Sequence, residues 1–244
     1  RDWGRLMRIG IDIDGVLFPF DTVARQELGA NQEPSKSWSA LKYELTPLQW
    51  DWLWSAYGQD VVFGAVVNCY WDAVKAVQAI LRETSHEVHF VTNRDPALAG
   101  YQTARFLHQH FHGLRWAGLH MLGRQATIPK WKLARWDVFV DDKPETVFEF
   151  LAHTDTQVFA PRRPWNESEL EDNLYLTVYD NPGVILDYIA AHDGEWERVL
   201  RAVTRPADPG LPGAKAVTAD ALKEHANKFG PEAVQDTAAS VGLR

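Results

Sequence analysis

Apolar and polar residues alternate along residues 8–14, where Ile9, Ile11 and Ile13 are separated by Gly10 and Asp12 before Gly15 breaks the run. A period of two predicts a strand, here one that enters a turn with carboxylates at its C-terminal end. From residue 70 onward, strand and helix periods take turns. Residues 71–82 put Ala73, Val74, Val77, Ile80 and Leu81 at helical spacing, and residues 87–91 (E-V-H-F-V) read as a strand. Asp95 and Pro96 start a helix that runs to about residue 111, and residues 117–122 read as the next strand. A short helix over 129–136, a strand over 137–140, a helix over 144–151, a strand over 156–159 and a last core helix over 182–191 complete the series. Alternation of this kind predicts an α/β fold, a Rossmann-like parallel sheet with helices on both faces. Ligands of such sheets lie at the carboxyl ends of the strands.

Residues 16–69 break the rhythm. A short helix over 21–28 precedes a polar stretch over 31–39. Thr46 then offers an N-cap, with Pro47 at the first helical position. The helix it opens carries Trp50, Trp52 and Trp54, then Tyr57, with Gly58 as its stop. This segment reads as a small helical cap inserted after the first strand, between core segments 1–15 and 70–195. Residues 205–212 (R-P-A-D-P-G-L-P) have the composition of a linker. The tail over 196–244 is Ala-rich and weakly apolar; it is expected to be partly ordered, or to bind a protein partner or a second copy of the chain.

Composition narrows the classes. The chain has 244 residues, 45% of them hydrophobic, enough for a sizeable core. No run of about 20 apolar residues predicts a membrane span. The formal net charge of −8 argues against bulk binding to nucleic-acid backbones. A single cysteine, Cys69, excludes a disulfide framework, fits a reducing compartment, and with no visible secretory leader gives a cytoplasmic expectation. The histidines of the 108–120 segment read as a solvated helix end.

The chemistry gathers at the strand ends. The first strand ends in Asp12-Ile13-Asp14-Gly15, the second in Thr92-Asn93-Arg94, and the one before residue 141 in Asp141-Asp142-Lys143, with Lys130 and Lys132 just upstream. A parallel sheet brings these ends to one edge. Clustered carboxylates repel one another, and a hard divalent cation relieves that repulsion. Oxygen-only donors favour Mg2+ over Zn2+. Beside such an ion an aspartate can attack a phosphoryl group, and a lysine can neutralise charge on its oxygens. A second carboxylate two residues along lies on the same face of an extended chain and can serve as the acid and base.

These residues resemble the haloacid dehalogenase-like phosphatase superfamily. The motifs are D-x-D-G-V at Asp12–Val16, a Thr after an apolar strand at Thr92, a lysine at Lys130 or Lys132, and the acidic pair Asp141-Asp142. The resemblance spans about residues 8–166. Within the superfamily the chain looks most like the 5′(3′)-deoxyribonucleotidase type, through the helical insertion, D-D-K-P-E at 141–145 and Arg163-Pro164-Trp165-Asn166. It implies Asp12 as nucleophile and Asp14 as general acid and base. It implies Mg2+ held by Asp12, the backbone carbonyl of Asp14, Asp142 directly and Asp141 through water. Lys130, with Leu133 three residues on, matches the family's lysine better than Lys132. Thr92 and Asn93 would contact phosphate, and Arg94 phosphate or cap. Phe18, Phe20 and Trp38 are candidates to line a base-stacking pocket. The function implied is a Mg2+-dependent phosphomonoesterase acting on a small phosphorylated substrate such as a nucleoside 5′-monophosphate. A polynucleotide 3′-phosphatase and a non-enzymatic assembly protein acting through its tail are the alternatives.

Overall fold

The computed structural model describes residues 6–37, 40–124, 126–170 and 175–192. Trp38 and the tail from residue 193 onward lie outside them. The chain divides into two compact units; of the described residues, Met7–Pro182 belong to one, and Leu6 and Gly183–His192 to the other.

The first unit is built on one six-stranded sheet: β1 (Arg8–Asp12), β2 (Glu87–Thr92), β3 (Gly118–Met121), β4 (Val138–Val140), β5 (Gln157–Pro161) and β6 (Leu176–Tyr179). Every pairing is parallel, in the order β3-β2-β1-β4-β5-β6. The chain leaves β1 towards β2 and β3, then returns to the other side of β1 at β4. The ends of β1 and β4 therefore meet where the strand order reverses, the place where a ligand crevice opens in such sheets. The strands are short and buried on both faces, as β1 and β4 show with no exposed position. Under the sheet, Phe139 stacks on Phe150 with ring centroids 4.3 Å apart, among Val91, Val147, Val158 and Trp136. Each such fully buried side chain contributes roughly 1.5–3 kcal/mol relative to exposure.

The helices flanking the sheet follow their sequence signals. In α5 (Trp71–Glu83) the buried residues are Ala73, Val74, Ala76, Val77 and Ile80. In α6 (Pro96–Phe111) the Asp95 carboxylate caps by accepting from the N–H of Ala97, at 2.8 Å. α7 runs over Pro144–His153.

Between β1 and α5 lie four short helices, α1 (Phe20–Glu27), α2 (Ala40–Glu44), α3 (Pro47–Leu53) and α4 (Ala56–Gly64). An inserted helical cap after the first strand of a parallel α/β sheet is the architecture that the haloacid dehalogenase-like resemblance implies. α2 falls just after the polar stretch. α3 opens on a full capping box, the Thr46 hydroxyl accepting from the Gln49 N–H and the Gln49 side chain reaching back to Thr46. Gly58 does not end that helix. α3 stops at Leu53, and Gly58 lies in the first turn of α4, its N–H donating to the capping Ser55 hydroxyl at 3.0 Å.

One further expectation changes. The helix expected over 129–136 is a single 3-10 turn, Lys130–Lys132. β6 was not signalled by its short L-T-V-Y run. α8 (Gly183–His192) is the last described helix, where one was expected over 182–191. Among the described residues no helix is long and apolar enough to cross a membrane.

Candidate active site

β1 delivers Asp12 to the crevice and then turns sharply. The carbonyl of Ile13 accepts from the N–H groups of Leu17 and Phe18, each at 2.8 Å. Gly15 makes the turn with φ of 78°, a region that disfavours side chains. A Cβ on Gly15 would also come within 2.0 Å of Asp142 Oδ2, so the glycine lets the backbone approach that carboxylate.

Asp12, Asp141 and Asp142 converge. All three are buried, and each offers an oxygen within 4.8 Å of the others'. Lys130 enters the cluster from the 3-10 turn, its Nζ 2.9 Å from Asp12 Oδ2 and 2.8 Å from Asp141 Oδ2. Lys132 instead places its ammonium 4.9 Å from the Trp131 ring centroid. Of the two lysines, only Lys130 reaches the carboxylates.

The remaining lone pairs are fixed one by one. Asp12 Oδ1 accepts from the N–H of Ile13 at 2.8 Å, and Asp141 Oδ1 from the N–H of Lys143 at 2.9 Å. Asp142 Oδ2 accepts from the Trp165 indole N–H at 2.8 Å. Asn166 donates to the carbonyls of Asp142 and Pro161 at 2.8 and 3.1 Å. Arg163 donates from Nε to the Gly15 carbonyl at 2.8 Å, with its guanidinium 3.8 Å from the Tyr70 ring centroid. The loop after β5 thus clamps both Asp142 and the turn after Asp12. Asp142 Oδ1, by contrast, is buried with no hydrogen-bond partner.

Burial dominates the electrostatics. It pushes the Asp12 carboxyl up to about 7, and repulsion from Asp141 and Asp14 adds to this while Lys130 opposes it. Asp142 is raised well above its ordinary value by burial and then by Asp141 and Asp12. Burial alone would depress Lys130, but Asp12 and Asp141 together outweigh it and hold the ammonium charged. Three carboxylates against one ammonium leave two negative charges in excess when all are ionised. With oxygen-only donors and one orphaned carboxylate oxygen, the cluster can coordinate a hard divalent cation.

Asp14 stands apart from this cluster. Its carboxylate is half-buried and held by Arg94, with Nε 3.1 and 3.0 Å from its two oxygens and Nη2 2.7 Å from Oδ1. The Thr92 hydroxyl lies 3.4 Å from Asp14 Oδ2 and accepts from the Arg94 N–H at 3.2 Å. Asn93 is exposed at the strand end.

Two residues expected to contact substrate are buried. Arg94 is 3% exposed and its guanidinium is committed to Asp14 and Thr103, against the rings of Phe18 and Phe63. Phe18 is fully buried against Phe106 and Phe63. β1 ends at Asp12, so Asp14 lies in the turn at Gly15, where Arg94, two residues after Thr92, meets its carboxylate. Trp38 lies outside the described residues.

Beside the cluster a cavity of about 40 Å³ is lined by Gly15, Phe20, Asp21, Ser35, Leu41 and Trp165, among others. It combines aromatic faces with hydroxyl and carboxylate groups. Asp21 is fixed there by Arg25, whose Nε lies 3.0 Å from Oδ2.

No family model matches the chain, and no curated protein matches it. Solved structures do. A haloacid dehalogenase-like family hydrolase from Streptococcus pneumoniae aligns at 14% identity and TM-score 0.45, over 75% of this chain and 98% of that one. A haloacid dehalogenase-like family hydrolase from Xanthomonas campestris aligns at 12% identity and TM-score 0.47, over 80% of this chain and 99% of that one. A HAD-superfamily hydrolase of subfamily IA from Geobacter sulfurreducens aligns at 13% identity and TM-score 0.41, over 76% and 97%.

Proposed function

We propose that the protein is a Mg2+-dependent phosphomonoesterase that works through an aspartyl-phosphate on Asp12, with a nucleoside 5′-monophosphate as the substrate class. The observation that carries this reading is the buried cluster of Asp12, Asp141, Asp142 and Lys130 beside a separately held Asp14.

Asp12, Asp142 and Asp141 would hold the Mg2+, which supplies charge neutralisation for a bound phosphate. Asp12 attacks phosphorus in line, and the bond from phosphorus to the ester oxygen breaks. Asp14 delivers a proton to that departing oxygen. A water then attacks phosphorus, Asp14 removes its proton, and the acyl-phosphate opens to inorganic phosphate and the free carboxylate of Asp12. Lys130 and Thr92 balance charge on the phosphoryl oxygens.

The nucleotide reading is supported by the resemblance of D-D-K-P-E at 141–145 and of Arg163-Pro164-Trp165-Asn166 to the 5′(3′)-deoxyribonucleotidase type. The test is phosphate release by the full chain across a panel of nucleoside monophosphates and simple phosphate esters, with Mg2+ or with EDTA. Turnover that needs Mg2+ and disappears in Asp12→Asn is expected. No release from any substrate, or release that Asp12→Asn leaves intact, rejects the proposal; turnover of simple esters alone rejects the nucleotide assignment.

A further inference from the structure

Two histidines on neighbouring strands face one another outside the acidic cluster. His89 of β2 pairs in register with Gly118 of β3, and His120 with Val91. Residues 89 and 91 project to one side of a strand, so the two imidazoles are diagonal neighbours on one sheet face. Nδ1 of His89 lies 3.2 Å from Nε2 of His120, with ring centroids 5.3 Å apart. Gly118 leaves this approach open, because a Cβ there would come within 3.0 Å of His89 Nδ1. The buried Trp136 presents its ring edge-on to both imidazoles, at 5.5 and 6.2 Å between centroids.

The far side of His89 matters as much. Its Nε2 is buried with no hydrogen-bond partner, and the carboxylate of Glu87 lies 3.9 Å from it. Glu87 is itself held by Arg8, whose Nε is 3.0 Å from Oε2. Burial, then the proximity of His120 and Arg8, favours the neutral imidazole at His89.

We infer that His89 and His120 form a binding site for a borderline divalent cation of the Zn2+ class, held through His89 Nδ1 and His120 Nε2 with water completing the coordination. Zinc–imidazole bonds are about 2.0–2.1 Å, so two nitrogens on one tetrahedral ion stand roughly 3.3 Å apart. The observed separation already matches that distance. With Nδ1 on the ion, His89 carries its proton on Nε2, the nitrogen on the side of Glu87 Oε2, 3.9 Å away. Both ligands bind neutral. The ion replaces one N–H···N hydrogen bond, and whichever imidazole carries the bridging proton shifts it to its other ring nitrogen, so no redox partner is required. Imidazole donors select Zn2+, Co2+ or Ni2+, where the carboxylate cluster selects Mg2+. The consequence is a clamp between β2 and β3, the four-residue strand at the edge of the sheet.

The site is independent of phosphatase activity, and its test is too. Tag-free full-length protein, saturated with Mg2+ to occupy the carboxylates, is titrated with Co2+ while visible absorbance and melting temperature are followed. The expected result is a Co2+ absorption band and a rise in melting temperature, both displaced by Zn2+. H89Q and H120Q each weaken binding at least tenfold. D142N and the double variant H108Q/H112Q, which removes the exposed pair near the end of α6, bind as the wild type does. The half-buried His120 keeps the test valid if H89Q fails to fold. The inference is overturned if the wild type gives no band and no stabilisation, if H120Q binds Co2+ undiminished, or if H108Q/H112Q abolishes binding.

Discussion

The guanidinium of Arg94 grips the carboxylate of Asp14 across 80 residues of chain, with contacts of 2.7 to 3.1 Å to both oxygens. A planar fork on a carboxylate fixes direction as well as charge. Stacking against Phe63, 4.2 Å from ring centroid to guanidinium carbon, and a bond from Nη1 to Thr103 at 3.3 Å fix Arg94 in turn.

Arg94→Lys keeps a cation near Asp14 but loses the fork. Turnover is expected to fall by about 10- to 100-fold for nucleotides, whose departing oxygen needs a proton. A substrate with an acidic leaving group, such as p-nitrophenyl phosphate, is expected to lose far less. Comparing kcat on the two substrates checks this; equal losses would remove Asp14 from the proton-transfer role.

Lys130→Met leaves Asp12 and Asp141 facing each other without the ammonium that touches both, at 2.9 and 2.8 Å. Breaking a buried pair in this way costs about 3–5 kcal/mol. Thermal melts in EDTA are expected to show that loss, and millimolar Mg2+ to recover part of it. A melting temperature unchanged in EDTA would contradict the buried pairing.

Trp165→Phe preserves the ring and removes only the N–H that Asp142 Oδ2 accepts at 2.8 Å. Removing a group that orients a metal ligand typically weakens metal binding about 10- to 100-fold. The Mg2+ concentration for half-maximal turnover should rise by that factor, with a smaller change in kcat at saturating Mg2+.

How much of this was legible in the sequence differs element by element. β1 and β2 were clear because Ile9, Ile11 and Val88, Phe90 alternate or run apolar between strong punctuation. The parallel alternation with helices put their carboxyl ends on one edge of the sheet, and with that the meeting of Asp12 and Asp142; the strand order itself was not legible. The one-turn helix at Lys130 was overread because Pro129 and the tryptophans imitate a helix start. β6 was missed because four residues carry too little periodicity. The burial of Phe18 was not legible because it depends on the Gly15 turn, which folds the chain back and packs Phe18 against Phe106, with ring centroids 5.7 Å apart. The Arg94–Asp14 pair depends on side-chain direction across two strand ends, which no one-dimensional pattern carries. His110 was read as part of a solvated helix end, yet it is buried and bonded to the Val66 carbonyl at 2.7 Å, because it falls on the apolar face of α6 with Phe106 and Leu107.

Asp142→Asn separates stability from function. Burial and the neighbouring carboxylates of Asp141 and Asp12 raise the Asp142 pKa in the folded chain, while the unfolded value stays near the ordinary one of about 3.9. Between those values the folded chain holds a proton that the unfolded chain has released. Without metal, wild-type stability therefore rises as pH falls through that window, and the variant lacks this contribution. At pH 7 in EDTA the variant is expected to be more stable by on the order of 1 kcal/mol, or about 2–4 °C in melting temperature. Its amide oxygen still accepts from Trp165, so the packing is kept. Millimolar Mg2+ should reverse the order, because the divalent ion stabilises only the chain that offers it the full set of carboxylates. A variant no more stable than the wild type in EDTA, or one that gains as much from Mg2+, would contradict the strained, cation-seeking character of the cluster.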